Sequence, residues 1–161
     1  MKKQVLLTLF LMVVALGLKA QSVADLDAQN GFRDVVFGTD LSVHPEMQLY
    51  LDGYKHQLYT RRGDKQAFPG AELVNITYYY RKGKLDKIDM TISSLEREKY
   101  AAAVLKALTA SYGPGKSEPD EFNRSTRTVW RGEKVTMEFH LNLTTKLYEV
   151  VIEPRPVSTP N

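Results

Sequence analysis

The chain of 161 residues has no cysteine, one tryptophan and three histidines. The absence of cysteine excludes disulfides, thiolate zinc ligands, a thiol nucleophile and iron–sulfur clusters. It also excludes the bacterial lipid anchor, which is attached to a cysteine at the start of the mature chain. The histidines, His44, His56 and His140, share no i, i+2 or i+4 spacing. We therefore interpret them as surface residues and expect no metal site and no cofactor.

Long hydrophobic runs are absent too, except for one short run near the N-terminus. Two lysines follow Met1, and Val5–Leu18 contains no charged residue. A positive start and an apolar run of about 14 residues are typical of a secretory signal, whereas a membrane-spanning helix needs roughly 20 apolar residues. We expect residues 1–20 to be a signal peptide cleaved after Ala20, with cleavage after Gly17 as the alternative.

Once the predicted signal peptide is removed, the chain has no excess of positive or negative charge. The full chain has 22 basic and 19 acidic residues and a pI of about 9.0. Lys2, Lys3 and Lys19 lie in the predicted signal, which has no acidic residue, so 19 bases face 19 acids in the mature chain. No global field remains to attract nucleic acid or an anionic membrane. We expect a periplasmic or secreted protein with no nucleic-acid partner and no membrane span.

The mature length fits one domain. Small polar residues predict a flexible lead-in over 21–30. Pro154-Arg155-Pro156 ends the last predicted strand, because proline cannot donate to a strand ladder. The sequence therefore predicts a single domain over 31–154 and a frayed tail over 155–161.

Within that domain, runs of alternating polar and apolar residues predict an antiparallel sheet. Asp52-Gly53 and Lys82-Gly83-Lys84 separate two pairs of such runs, as hairpin turns do. A short helix is expected from about Leu41. The predicted strands are Gly31–Gly38, Leu49–Leu51, Tyr54–Thr60, Leu73–Arg81, Leu85–Ile92, Ser125–Arg131, Lys134–Leu141 and Lys146–Glu153.

One long helix is predicted over about 95–112. Ser93 and Glu96 have the spacing of a capping box, and Gly113 stands where a helix often ends. Its apolar stripe consists of Leu95, Ala101, Ala102, Leu105, Leu108 and Tyr112. The expected fold is a two-layer α+β sandwich, an antiparallel sheet with this helix packed on one face. Each half of the chain reads as a helix followed by hairpins, which also suggests a duplication.

No catalytic motif occurs, and we predict no catalytic residue. The G-x-S-x-G elbow of serine hydrolases is missing. Carboxylates are plentiful, with Asp86 and Asp89 in one predicted strand and Glu118, Asp120 and Glu121 in a predicted loop. A carboxylate pair in a sheet cleft, as in glycoside hydrolases, would support the alternative of a small envelope hydrolase. Solvated surface charges are the simpler interpretation.

The most distinctive polar stretch is Tyr59–Lys65, in which two adjacent arginines follow a tyrosine. Arginines beside aromatic rings can clamp a carboxylate or sulfate, or stack on a sugar. The alternatives are a charged loop between strands and, for the tyrosines, packing in the sheet. The candidate ligand-binding residues are Tyr59, Arg61, Arg62, Asp64, Tyr79 and Arg81. Trp130 fits a surface anchor and a core residue equally.

Four stretches together resemble a class of small uncharacterised secreted bacterial proteins common in Bacteroidota. They are Phe32–Thr39, with Asp34 where the class has glycine, Ile76–Leu85, Leu108–Gly113 and Val129-Trp130. The helix-plus-sheet arrangement of that class is similar to β-lactamase-inhibitor-like and outer-membrane-assembly (BamE/SmpA-type) folds. Both are binding modules, so the resemblance implies recognition rather than catalysis, by analogy of fold alone.

Together these features favour an exported, non-enzymatic binding module of unknown ligand. We expect it to use an exposed sheet face and the Arg61–Lys65 loop, with an envelope protein or a glycan as partner. The small hydrolase is the alternative function. The sequence does not indicate an oligomeric state.

The predicted signal is tested by the mass of the native product. Intact-mass spectrometry of the chain from its own host should show a mature protein that starts at Gln21, or at Leu18 if cleavage follows Gly17. The small residues before both positions fit the cleavage site. Recovery of the uncleaved chain from the cytosol would contradict export.

Overall fold

The computed structural model describes residues 22–93, 96–121 and 125–156. In chain order its elements are α1 (Val23–Gln29), β1 (Gly31–Phe32), β2 (Val35–Val36), a 3-10 helix (Leu41–Val43), β3 (Met47–Asp52), β4 (Gln57–Arg61), β5 (Ala67–Phe68), β6 (Ala71–Arg81), β7 (Lys84–Ile92), α2 (Arg97–Tyr112), β8 (Lys116–Asp120), β9 (Ser125–Arg131), β10 (Val135–Asn142) and β11 (Leu147–Pro154).

Eight strands form one antiparallel sheet in the order β3-β4-β6-β7-β11-β10-β9-β8, and β5 adds to β6 beside it. The first four strands come from the first half of the chain and the other four from the second. The last strand of each half, β7 and β11, pair with each other in the middle. The expectation of a large antiparallel sheet with one long helix on it is confirmed, and the sheet dominates the fold.

The core lies between the sheet and α2, which packs on β6, β7 and β11. Alternate residues of the central strands are fully buried there, among them Tyr78, Ile88 and Met137. Trp130 belongs to this core, and its Nε1 donates a 2.8 Å hydrogen bond to the backbone oxygen of Gly113. A large aromatic side chain thus ties the end of α2 to β9 and satisfies its own polar atom.

Residues 22–30 form a helix with an αL cap, and the predicted flexible lead-in was wrong over this stretch. The backbone N–H of Ser22 donates to Asp25 Oδ2 at 3.0 Å, and Leu26 is fully buried. The Asp27 carboxylate accepts hydrogen bonds of 2.6–3.0 Å from the backbone N–H groups of Glu133, Lys134 and Val135. Small polar residues gave no sign of this docking, because it depends on a turn more than 100 residues away.

The long helix ends as predicted but begins later. Glu96, and not Ser93 as predicted, is its N-cap, and residues 94–95 lie outside the described residues. Ala102 is exposed, whereas Val104, outside the predicted stripe, is fully buried. Lys116–Asp120 is a strand, so Glu118 and Asp120 do not lie in a loop as predicted. Among the described residues, no helix is both long and apolar enough to cross a bilayer.

The two edges of the sheet differ. Edge strand β3 exposes apolar side chains, and Tyr50 is 68% accessible between exposed Leu49 and Leu51. The other edge strand, β8, contains Pro119 and the charged residues Lys116 and Glu118. Proline and charges are the usual protection of an edge strand, so only β8 is blunted in this way.

Candidate functional site

The sheet face opposite α2, here the helix-free face, is covered by no element within the described ranges. It carries ionisable side chains on the three central strands β7, β11 and β10. Glu149 lies opposite Thr91 on one side and His140 on the other, and Asp89 precedes Thr91 by two residues. We call Asp89, Glu149 and His140 the central cluster.

Neighbouring side chains bury the central cluster although the face is open. The side chains of Asp89, Glu149 and His140 are only 15%, 11% and 12% accessible. His140 Nε2 lies 3.4 Å from Glu149 Oε2, and Asn142 donates to Glu149 Oε1 at 3.0 Å. Lys87 Nζ lies 3.9 Å from Asp89 Oδ2. Within the described ranges, Asp89 Oδ1 and His140 Nδ1 are buried without a hydrogen-bond partner.

This environment moves the three pKa values apart. Burial, followed by repulsion from Glu149, raises the pKa of Asp89 to about 6. Burial also opposes ionisation of Glu149, but hydrogen bonds from His140 and Asn142 outweigh it and lower the pKa of Glu149. The hydrogen bond with Glu149 raises the pKa of His140. One carboxyl group is therefore easily protonated beside a second that stays ionised.

The central cluster was not predicted from the sequence, because His140 was interpreted as a surface residue. The sequence feature that could have indicated the cluster is the presence of charged residues on one side of three central strands. That signal could be used only if β7 was known to pair with β11, and about 60 residues separate Asp89 from Glu149 along the chain.

The β6–β7 hairpin places a second polar group at one end of the helix-free face. A register shift leaves Asp86 unpaired in the ladder, as in a β-bulge. Its carboxylate lies 2.7 Å from His56 Nε2 and 2.8 Å from Arg81 Nη2. The Tyr79 ring contacts Lys87, whose Nζ is 4.5 Å from the ring centre, and burial raises the pKa of Tyr79 to about 12.

Two connected cavities open at this end of the sheet. The larger, of about 1090 Å³, lies among the β6–β7 turn, the β9–β10 turn and the end of β11. A smaller cavity of about 430 Å³ shares Arg81, Asp86 and Arg155 with it. The charged residues that line the larger cavity, here the basic cleft, are Arg81, Lys82, Lys84, Asp86, Glu133, Lys134 and Arg155.

The Arg61–Lys65 loop is held by ion pairs to the β1–β2 turn. Arg61 donates to both oxygens of Asp34, at 2.6 and 2.7 Å, and its Nε lies 2.7 Å from Glu46. A second ion pair has the opposite polarity, because here the turn supplies the cation, Arg33, and the loop supplies the anion, Asp64. The Asp64 side chain is 4% accessible. The cation of Arg61 and the anion of Asp64 are therefore already matched within the fold.

The six candidate binding residues consequently separate into two groups. Tyr59, Arg61 and Asp64 are buried or paired within the fold, whereas Arg62, Tyr79 and Arg81 lie outside those contacts. Tyr59 is buried in the core, in edge-to-face contact with Tyr80, and Asp64 also accepts a 2.6 Å hydrogen bond from Tyr78. Arg62 is exposed at the loop tip. Tyr79 and Arg81 lie together at the end of the helix-free face.

Asp34, His44 and Glu46 bring three potential metal-ligand atoms within 4.8 Å of one another. The Arg61 guanidinium binds both carboxylates of this group. The hydrogen bonds from Arg61 outweigh burial, which opposes ionisation, and hold the pKa of Asp34 down to about 2. A cation from the chain itself thus already pairs with both carboxylates of this group.

No protein-family model matches the chain, and no curated protein does. Among solved structures it is similar to the crystal structure of a DUF4309 family protein, YjgB, from Bacillus subtilis. The identity is 14% over 71% of this chain and 74% of that chain, with a TM-score of 0.43. This similarity is to a small uncharacterised bacterial protein and not to the BamE/SmpA type in particular. A similarity this low carries no conclusion about the role of the chain.

The pKa of Asp89 predicts how stability depends on pH. Because the folded-state pKa lies near 6, above the ordinary value of 3.8, the folded chain binds the proton more tightly than the unfolded chain. The resulting contribution to the free energy of unfolding is about 1–3 kcal/mol. It is fully present below about pH 4 and is lost as the pH rises through 6. Lys87, Glu149, Glu153 and His140 also face this carboxyl group.

Urea unfolding between pH 4 and 8 tests that prediction. The variant Asp89→Asn should be more stable than wild type at pH 8 and should lose less stability between pH 4 and 6. The matched change Asp52→Asn, at an exposed position on β3, should leave the wild-type profile unchanged. Equal profiles for Asp89→Asn and wild type would show that Asp89 titrates normally.

Proposed function

We propose that the chain is an exported, non-enzymatic binding module whose contact surface is the helix-free face. The observation that carries this proposal is the set of buried but unpartnered polar atoms on that face. Asp89 Oδ1, His140 Nδ1 and Arg127 Nε lack hydrogen-bond partners among the described residues. An unmatched buried polar atom costs about 1–3 kcal/mol, and a ligand that supplies the missing partner recovers part of that cost.

The chemistry of the face favours a polar partner, an envelope protein or a glycan. Acidic, basic and neutral polar groups alternate across neighbouring strands, and Arg127 donates to Glu138 at 3.0 Å. Fixed donors and acceptors of this kind select by geometry rather than by apolar area. Tyr79, at the end of the face, adds a ring on which a sugar or side chain can stack.

Three finer inferences accompany this proposal. Export to the periplasm or beyond rests on the N-terminal signal pattern. Relationship to the Bacteroidota secreted class, and similarity to β-lactamase-inhibitor-like or BamE/SmpA-type binding modules, rest on the motifs quoted above. A helix-plus-hairpin duplication is supported by the order of strands, because two four-stranded meanders meet through their last strands.

Photo-crosslinking in the exporting host tests the contact surface. A photoreactive phenylalanine at position 136 replaces Thr136, which is half-buried on β10 and lies on the helix-free face. The matched position is Thr109, which is exposed on α2. Illumination should give adducts, detected by intact mass, from position 136 and few from position 109.

The opposite pattern, or no adduct at position 136, would reject the helix-free face as the contact surface. Wild-type secretion levels of both variants are the control for folding. Intact mass is the suitable readout because a protein partner and a glycan partner both change it.

A small hydrolase is the second candidate, favoured by the opposite pKa shifts of Asp89 and Glu149. A protonated carboxyl group beside an ionised one is the arrangement in which a general acid and a second carboxylate divide their roles. Here Asp89 would be the acid, and Glu149, held by His140, would act as base or nucleophile.

Hydrolase activity is tested with panels of glycoside, ester and phosphoester substrates near pH 6. The proposal of a binding module predicts no turnover above background. If turnover occurs, the hydrolase candidate predicts at least a hundredfold loss in Asp89→Asn, since general acid catalysis contributes about 10²–10⁴-fold. Glu138→Gln, which changes a carboxylate paired with Arg127 on the same face, is the control and should retain activity.

A further inference from the structure

We propose that the basic cleft binds a small ligand carrying two or more oxyanion groups, such as carboxylates, sulfates or phosphates. This site lies at the end of the sheet and uses residues other than the central cluster. It adjoins the contact surface proposed above at Arg81 and Asp86 but includes none of the central cluster, so one extended partner could contact both.

Charge is concentrated in the basic cleft although the predicted mature chain is neutral. Five basic and two acidic side chains line it. Two of the bases are already paired, Arg81 with Asp86 at 2.8 Å and Lys84 with Asp40 at 3.1 Å. Within the described ranges, no carboxylate lies within ion-pair distance of Lys82, Lys134 or Arg155. Asp86, one of the two acids that line the cleft, is paired with Arg81, so these three cations face the cavity together with one remaining acid, Glu133.

Hydrogen bonds fix the backbone that carries two of these cations, Lys134 and Arg155. Arg155 donates from Nη1 to the backbone oxygen of Gly132 at 2.5 Å, and its backbone N–H donates to Lys134 at 2.7 Å. Asp27 binds three backbone N–H groups of the turn that carries Lys134, and these bonds outweigh burial to lower the pKa of Asp27. Groups fixed before binding lose less freedom when a ligand arrives, which favours affinity.

Lys82 lies at the rim of the basic cleft, in the β6–β7 turn. Its φ of +52° is in the left-handed region, and Gly83 follows at +75°, so both central turn residues have positive φ. Asparagine or glycine is preferred at such a position, whereas a lysine is disfavoured by its Cβ. Lys146 has a similar φ of +59° outside the cleft, so the position of Lys82 at the rim, and not its φ, supports a role in binding.

The dimensions fit a small ligand. A volume of about 1090 Å³ is at the upper end of the usual range for small-molecule sites, and it leaves room for several anionic groups. The predicted mature chain has no net charge, so long-range attraction of a large polyanion is not what the structure provides.

Isothermal titration with matched pairs of probes tests the proposal on the secreted chain. The sulfate pair is sucrose octasulfate and sucrose, the carboxylate pair is tetragalacturonate and maltotetraose, and inositol hexakisphosphate represents phosphate. We expect at least one anionic probe to bind and both neutral sugars to fail. The arm that binds most tightly identifies the source of the oxyanion.

Two lysines in left-handed turns give a matched comparison, since Lys146 has a φ of +59° and does not line the basic cleft. Lys82→Asn and Lys146→Asn should both raise the unfolding midpoint, because asparagine suits both turns. Only Lys82→Asn should weaken probe binding, by about tenfold or more, as expected for loss of a charge-assisted hydrogen bond. Lys134→Gln should weaken it similarly.

Three results would overturn the proposal. They are equal binding of charged and neutral probes, no binding by any probe, and equal loss of affinity in Lys82→Asn and Lys146→Asn. Equal loss of affinity in the two lysine variants would show that the probe is attracted by the overall charge of the protein and is not held in the basic cleft. None of them affects the photo-crosslinking result at position 136, so failure of the basic cleft and failure of the helix-free face are distinguishable.

Discussion

The pairing of β7 with β11 is the constraint on which the rest of the structure depends. On one side of the sheet it places Ile88 opposite Ile152 and Met90 opposite Val150, all buried under α2. On the other side it brings Asp89 next to Glu149. Burying one such apolar side chain contributes about 1.5–3 kcal/mol, so the helix side can offset the cost of partly buried charges on the opposite side.

Local signals explain which parts of the fold were predictable. The β6–β7 hairpin was predicted correctly because two alternating runs flank Lys82-Gly83-Lys84, and α2 ends as expected at Gly113. Helix α1 was missed because its stability depends on Asp27 binding a distant turn. The same reason applies to the central cluster, since no pattern within one strand reveals which strand of the other half lies beside it.

The candidate loop shows how a local interpretation can miss the partners that a residue has within the fold. Arg61 was a candidate for an anion clamp, and in the structure its guanidinium pairs with carboxylates within the chain, Asp34 and Glu46. Asp34 is also the position that departs from the glycine of the resembled class. An aspartate in one turn and an arginine in a distant loop are thus joined by one ion pair, which neither segment indicates alone.

The unequal edges of the sheet decide how copies of this chain would meet at high concentration. Proline and charge on β8 interrupt the ladder, whereas β3 leaves backbone donors and acceptors beside Leu49, Tyr50 and Leu51. Among the described strands, strand-to-strand joining therefore has one side without proline, at β3, where a register shift between Leu49 and Leu51 interrupts the ladder. A pair joined through β3 would have no second such edge from which to grow. Such association ends at two chains, so crowding would yield a closed pair rather than a fibre.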